Sequence, residues 1–231
     1  MRRRLSAWTA LAVLSTATMF AGGGTAHASA TGKAGSRDVL AHSREMDGMK
    51  SDINTALYVV DRFWAAHWSQ YFTGRYYTPN IFGGYSRSGR SAPYCGNKRL
   101  SYDNAFYCHN GRYIAWDTDL MRRGYRSGDA WVYDVIAHEW GHAVQAHLSV
   151  LFVSRAAELQ ADCLAGAALY GAAADGTLRF EEGDVEEIAD ALRAMADETR
   201  WTKPGDHGSA RQRIAAFDRG AAYGVRSCLS M

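Results

Sequence analysis

A net excess of either charge is nearly absent from this sequence: Lys+Arg 26 against Asp+Glu 24 leave a formal +2 over 231 residues. Such a balance offers no basic field for a nucleic-acid backbone or an anionic membrane surface, and it excludes a long acidic or basic tail. Cysteine is also scarce. Four residues suffice for two disulfides but not for the disulfide-dense mini-protein class. Beyond the first thirty residues no run approaches about 18 consecutive apolar residues, so no membrane-spanning helix is expected there. No internal repeat is visible. What the chain does have is 47% apolar and 12% aromatic residues, enough for one globular domain with a substantial core.

The N-terminus stands apart. Arg2, Arg3 and Arg4 precede an uncharged run from Leu5 to Met19, which gives way to Phe20-Ala21-Gly22-Gly23-Gly24 and the small-residue stretch Ala26-His27-Ala28-Ser29-Ala30. This is the order of a secretory signal peptide, with cleavage after Ala28 or after Ala30 fitting equally well. The abundance of Ala, Ser and Thr and the glycine cluster argue against a transmembrane anchor. Removing residues 1–30 subtracts Arg2, Arg3 and Arg4 and no acid, so 23 basic and 24 acidic residues remain, a formal −1. The expected location is secreted, with no stable membrane insertion after the signal is removed. In an oxidising compartment the four cysteines become disulfide candidates with three possible connectivities. We favour Cys95 with Cys108, which brackets a short segment, and Cys163 with Cys228, which would tie the C-terminus to a helix. Residues 31–48 are small and polar and read as a flexible leader, and 49–231 as the folded domain.

From about Ser51 the pattern is helical, with Ile53, Leu57, Val60, Trp64 and Trp68 at spacings of three and four. Residues 71–117 change to Tyr, Gly, Ser and Arg, with Pro79 and Pro93 interrupting any helix. Asn110-Gly111 between two β-prone flanks, 106–109 and 112–116, predicts a hairpin with a two-residue turn. Thereafter helices are predicted over about 130–148, 155–170 and 185–199, the last opened by an Asp184/Glu187 capping box. A fourth begins after Ser209, capped by Ser209 and Gln212, with Ile214, Phe217 and Ala221 inward. The fold class expected is α+β, predominantly helical, with a small β-sheet or hairpin packed beside the helix of residues 130–148.

That helix carries His138-Glu139-Trp140-Gly141-His142, an H-E-x-x-H string. With 8 His and 8 Glu in the chain, such a string arises by accident about 0.01 times per sequence, so it demands an explanation. Residues four apart on a helix stand about 40° apart around its axis, which lets both imidazoles reach one ion. Glu139 is turned about 100° from His138 and can stand beside the ion without binding it. Two nitrogen ligands and a carboxylate able to take a proton from water are what a zinc hydrolase needs.

A zinc ion with an open catalytic position needs a third protein ligand. Extension to a three-histidine pattern would require Gly at 145 and His at 148, where the chain has Gln145 and Leu148. His147 lies nine residues from His138, about 180° around the helix, and reads as a partly buried or capping histidine. Glu158, in Ala157-Glu158-Leu159-Gln160-Ala161-Asp162, is the better third ligand. Asp162, four residues on, shares its helix face and can take the free ring N–H of a zinc-binding histidine. The following run to Tyr170 is almost wholly apolar or small, so two carboxylates on this helix require partners.

Two strings, Val135-Ile136-Ala137-His138-Glu139-Trp140-Gly141-His142-Ala143-Val144-Gln145 and Glu158-Leu159-Gln160-Ala161-Asp162-Cys163-Leu164-Ala165-Gly166, resemble segments of the bacterial neutral zinc metallopeptidase family. So do Phe106-Tyr107-Cys108, Tyr113-Ile114-Ala115-Trp116-Asp117 and His207-Gly208-Ser209-Ala210-Arg211-Gln212-Arg213. The resemblance covers most of residues 50–228. It implies a zincin-like fold, one zinc ion held by His138, His142 and Glu158, and Glu139 as catalytic base. Two departures stand out: Cys108-His109-Asn110-Gly111 where the family usually reads Cys-Pro-Ala-Asp, and a short connection between His142 and Glu158.

The function expected is a secreted zinc-dependent endopeptidase acting on a peptide or protein substrate. The alternative is a non-catalytic secreted zincin-fold protein that binds a partner or a cell-envelope component, for which the base Glu139 would be superfluous. A developing oxyanion would gain from a second donor, for which His207, in the loop before Ser209, comes first and Tyr113, in the hairpin, second. By analogy with zincins, the strand Tyr113 to Trp116 is expected to pair with an extended substrate.

Overall fold

The computed structural model describes residues 31–149, 152–154, 156–197 and 207–231, with side chains from residue 41 onward. The expected signal peptide, residues 1–30, lies outside the described residues, as does the end of the predicted helix 185–199. The chain forms two units, Met1–Val39 and Leu40–Met231, of which the first is described only as helical backbone from Thr31.

Helix α1 (Thr31–Tyr71) runs through the stretch read as a leader and into the domain. Met49, Ile53, Ala56, Val60, Trp64 and Trp68 recur every three or four residues and are buried, so one face of the helix enters the core. Leu57, expected on the same face, is only partly buried.

A three-stranded sheet follows, in the order β1 (Asn80–Tyr85), β5 (Tyr113–Asp117), β4 (Ala105–Cys108). β1 runs parallel to β5 and β4 antiparallel to it. β2 (Tyr94–Cys95) and β3 (Lys98–Arg99) form a separate small ribbon. The expected hairpin is present as β4–β5, but its turn is longer than Asn110-Gly111 predicts. Cys108 pairs with Tyr113, leaving four residues between, and the left-handed backbone falls on Arg112 at φ 49°. The topology also corrects the strand expected to meet substrate. β5 has a neighbour on both sides, so its backbone groups are taken, whereas among the described residues β4 has a strand on one side only, its Ala105 and Tyr107 N–H groups meeting the Asn104 and Glu139 side chains.

Asp117 ends β5 and caps α2 (Thr118–Tyr125), its carboxylate accepting from the N–H groups of Asp119 and Leu120. Then come α3 (Ala130–Gln145), α4 (Ala157–Ala174), α5 (Asp184–Ala194), α6 (Ala210–Tyr223) and the short α7 (Val225–Cys228). The capping box at Ser209 and Gln212 forms as expected. The one at Asp184 does not: Gly183 is the cap, Asp184 accepts from Glu181 N–H, and Glu187 accepts from Ala130 N–H at 3.1 Å. Glu187 thus caps α3, a helix far away in sequence, in place of its own.

Helix α4 is lined by alanine and glycine, which lets neighbours approach at backbone distance. A Cβ placed on Gly141 of α3 would stand 2.8 Å from the Ala161 carbonyl oxygen, and one on Gly220 of α6 would overlap the carbonyl of Cys163. Gly220→Ala gains about 1 kcal/mol of helix propensity and loses more to overpacking, which reaches roughly 3 kcal/mol. A net fall in the thermal midpoint is therefore expected, read by calorimetry; an unchanged midpoint would mean that α4 and α6 are not in backbone contact. Two disulfides, Cys95–Cys108 and Cys163–Cys228, have the favoured connectivity and tie β2 to β4 and α4 to α7. No helix among the described residues is long and apolar enough to cross a membrane. The fold is predominantly helical α+β, with the small sheet beside α3, as expected.

Candidate metal centre

The close approach of α3 to α4 at Gly141 brings three side chains to one point. His138 Nε2 lies 3.1 Å from His142 Nε2 and 3.2 Å from a Glu158 carboxylate oxygen, and that oxygen lies 3.4 Å from His142 Nε2. An ion bonded at about 2.0–2.1 Å to tetrahedral ligands sets them about 3.3 Å apart. The triangle therefore has the size of three corners of a zinc tetrahedron, and the three residues could hold a metal ion.

Each imidazole is oriented by a second bond. His138 Nδ1–H donates to Asp162 at 2.7 Å. His142 Nδ1–H donates to Gln145 Oε1 at 2.8 Å, because the Gln145 amide group donates to the Ala157 carbonyl and to Gln160 Oε1 and so turns its oxygen toward the ring. Both rings thus turn Nδ1 to an outer acceptor and Nε2 to the common point. Gln160 in turn donates to the carbonyls of Phe152 and Cys228, anchoring the network to the disulfide-tied C-terminus.

Behind Asp162 stands Arg213 of α6, 1% exposed. Its Nε and one terminal nitrogen donate to the two Asp162 oxygens at 2.9 and 2.7 Å, and the other terminal nitrogen donates to the Met195 carbonyl. Sequence reading missed this residue. The signal was there: Arg213 shares a helix face with Ala216, Phe217 and Gly220, all buried, and an arginine in that row needs a buried anion.

Burial opposes ionisation throughout, and the local charges decide the outcome. Burial would raise the Asp162 carboxyl, yet Arg213 and His138 hold it below the usual carboxylate range. Burial would likewise raise Glu158, but hydrogen bonds from His138 and His142 bring it far below. His138, which burial alone would lower, is pushed up to about 10 by Asp162 and Glu158, so without a metal a proton takes the shared position. Asp134, one turn before His138, is fully buried with neither oxygen hydrogen-bonded among the described residues; burial and the charge of Asp162 push it up to about 7.

Glu139 is not one of the three clustered ligands and lines a cavity of about 350 Å³ that His138 and His207 also line. Burial raises its carboxyl above the usual range, and it accepts the backbone N–H of Tyr107, on the edge strand β4. His207 lies beside the ligands: its Nε2 is 3.9 Å from Glu158, and Asp197 holds the loop by accepting the N–H groups of His207 and Gly208. Burial lowers the His207 imidazole, which favours its neutral form. Tyr113 does not reach the site. It is not among the residues lining the cavity, and its hydroxyl donates to the Tyr94 carbonyl at 2.7 Å. His147 stacks with Tyr77 and meets the edge of Trp68, away from the three ligand atoms.

No curated protein and no solved structure matches the chain. A family model does, and it reaches across the segments that build this centre, α3, α4 and the start of α6, over residues 9–155 and 151–230. On that match, which takes in nearly the whole sequence, the chain belongs to the family described as "Putative neutral zinc metallopeptidase".

Proposed function

We propose that this chain is a secreted zinc-dependent endopeptidase in which His138, His142 and Glu158 hold one zinc ion and Glu139 is the general base. Export would remove residues 1–30, leaving 31–48 ahead of the domain. Two disulfides support an oxidising destination. The observation that carries the reading is the triangle of 3.1, 3.2 and 3.4 Å with a separate buried carboxylate, Glu139, opening on the cavity that His138 also lines. A protein that merely binds a partner through this fold has no use for that carboxylate.

When bound, zinc supplies Lewis acidity to water and to the scissile carbonyl. Glu139 takes the proton of the attacking water and passes it to the leaving amine. Its raised proton affinity suits both halves of that transfer near neutral pH. Asp162 and Gln145 keep His138 and His142 in the tautomer that offers Nε2. His207, neutral and facing Glu158, donates to the developing oxyanion, a role Tyr113 cannot share while its hydroxyl is bound to Tyr94. The outer edge of β4 pairs with the extended substrate and so sets the scissile bond against Glu139.

Metal analysis of the purified secreted protein, followed by incubation with a peptide library, tests this reading. One zinc per chain is expected, with cleavage that a chelator abolishes and added zinc restores. Bound zinc without cleavage of any peptide would replace the peptidase with the binding protein; no bound metal would remove both.

A further inference from the structure

Charge is segregated along this near-neutral chain. Residues 72–116, which include β1 to β4 and most of β5, carry Arg75, Arg87, Arg90, Lys98, Arg99 and Arg112 against a single acid, Asp103. All six cations are exposed. One of these cations, Lys98, stands at the cleft, and Arg87 and Arg99 lie against residues close to it in the chain or on its ribbon. Lys98, Tyr102 and Asp103 line the cavity onto which Glu139 opens. The Arg87 guanidinium lies 4.5 Å over the Tyr102 ring, and Arg99 lies 5.0 Å over Tyr94 on the same ribbon as Lys98. Stacking fixes these two heads in place at little entropic cost. The only carboxylate in this region, Asp103, is met by two guanidiniums, Arg123 at 2.6 Å and Arg87 at 3.5 Å. It cannot neutralise Lys98 and Arg99 as well, so the rim on this side keeps an excess of positive charge.

We propose that this rim is a subsite for acidic residues of the peptide, with Lys98, Arg99 and Arg87 receiving carboxylates that flank the scissile bond. The proposal rests on the peptidase reading above and adds a substrate class to it. An extended peptide following the outer edge of β4 passes residues 98–103 as it leaves the cavity, so its side chains come within reach of these cations. A free anionic polymer would also be attracted, but the rim adjoins the cavity of Glu139, and charge there acts on whatever is bound for cleavage.

Three peptides of one sequence provide the test, with two positions within four residues of the intended scissile bond set to Glu, Gln or Lys. For the zinc-loaded protein at low salt, kcat/KM is expected to fall in the order Glu, Gln, Lys, with about tenfold between the ends. The spread should shrink toward unity at about 1 M salt, where the screening length is about 3 Å. Lys98→Glu with Arg99→Glu should invert the order. Equal rates for all three peptides, or a preference that survives the double reversal, would overturn the subsite and leave the peptidase standing. Failure to cleave any of the three would overturn the peptidase reading and the subsite with it.

Discussion

Glu139→Gln is expected to keep one zinc ion per chain and to lose peptide cleavage by about 10²–10⁴-fold, the range that general acid–base catalysis contributes. The amide is isosteric, and its oxygen still accepts the Tyr107 N–H, so strand β4 and helix α3 keep their places. What it cannot do is accept a proton from water. Zinc content, circular dichroism and kcat/KM measured on one preparation separate the possibilities. Cleavage at the wild-type rate would remove Glu139 from the mechanism, and loss of zinc would show that it supports the ligands.

Arg213→Met should have the next largest effect, and on two quantities at once. It strands the ionised Asp162, 0% exposed, without its main counter-charge. Breaking a buried pair in this way costs about 3–5 kcal/mol of stability. Asp162 also orients His138, so the folded variant should bind zinc about 10–100-fold more weakly, the usual loss when an outer partner of a metal ligand is removed. Thermal unfolding gives the first number and competition with a chelator the second. Adding Asp162→Asn to Arg213→Met should recover stability, because the orphaned charge disappears, without recovering zinc affinity. If Arg213 only glued α6 to α4, stability would fall and zinc affinity would stay within about twofold.

Local signals in the sequence translated well wherever the chemistry was local. His138 and His142 are one helical turn apart, and nothing outside α3 is needed to put them on one face. Glu158 and Asp162 repeat that logic on α4, with an apolar run to show that the helix is buried. The Ser209/Gln212 box is likewise complete within four residues. Two of the misses involve partners distant in the chain. Glu187 has the spacing to cap its own helix and instead caps α3, since Ala130 N–H is brought within 3.1 Å. Tyr113 lies in the expected hairpin, but the register gives its strand neighbours on both sides and sends its hydroxyl to Tyr94.

Glycine and alanine placement explains how the two levels connect. Gly141 and Gly220 read as unremarkable helical glycines until α4 is seen pressed against both, at which point they account for Arg213 reaching Asp162. Taken by itself, the sequence determined most of the longer helices, the H-E-x-x-H face and the pair of carboxylates one turn apart, because each depends on periodicity within a single element. Only the tertiary structure decided that Arg213 completes the chain from α6 to His138, that Gln145 orients His142, that β4 and not β5 is an edge of the sheet, and that Lys98 lines the cavity of Glu139. Those four depend on distances between elements, and a distance of that kind is set by how closely backbones can pack, which no one-dimensional pattern records.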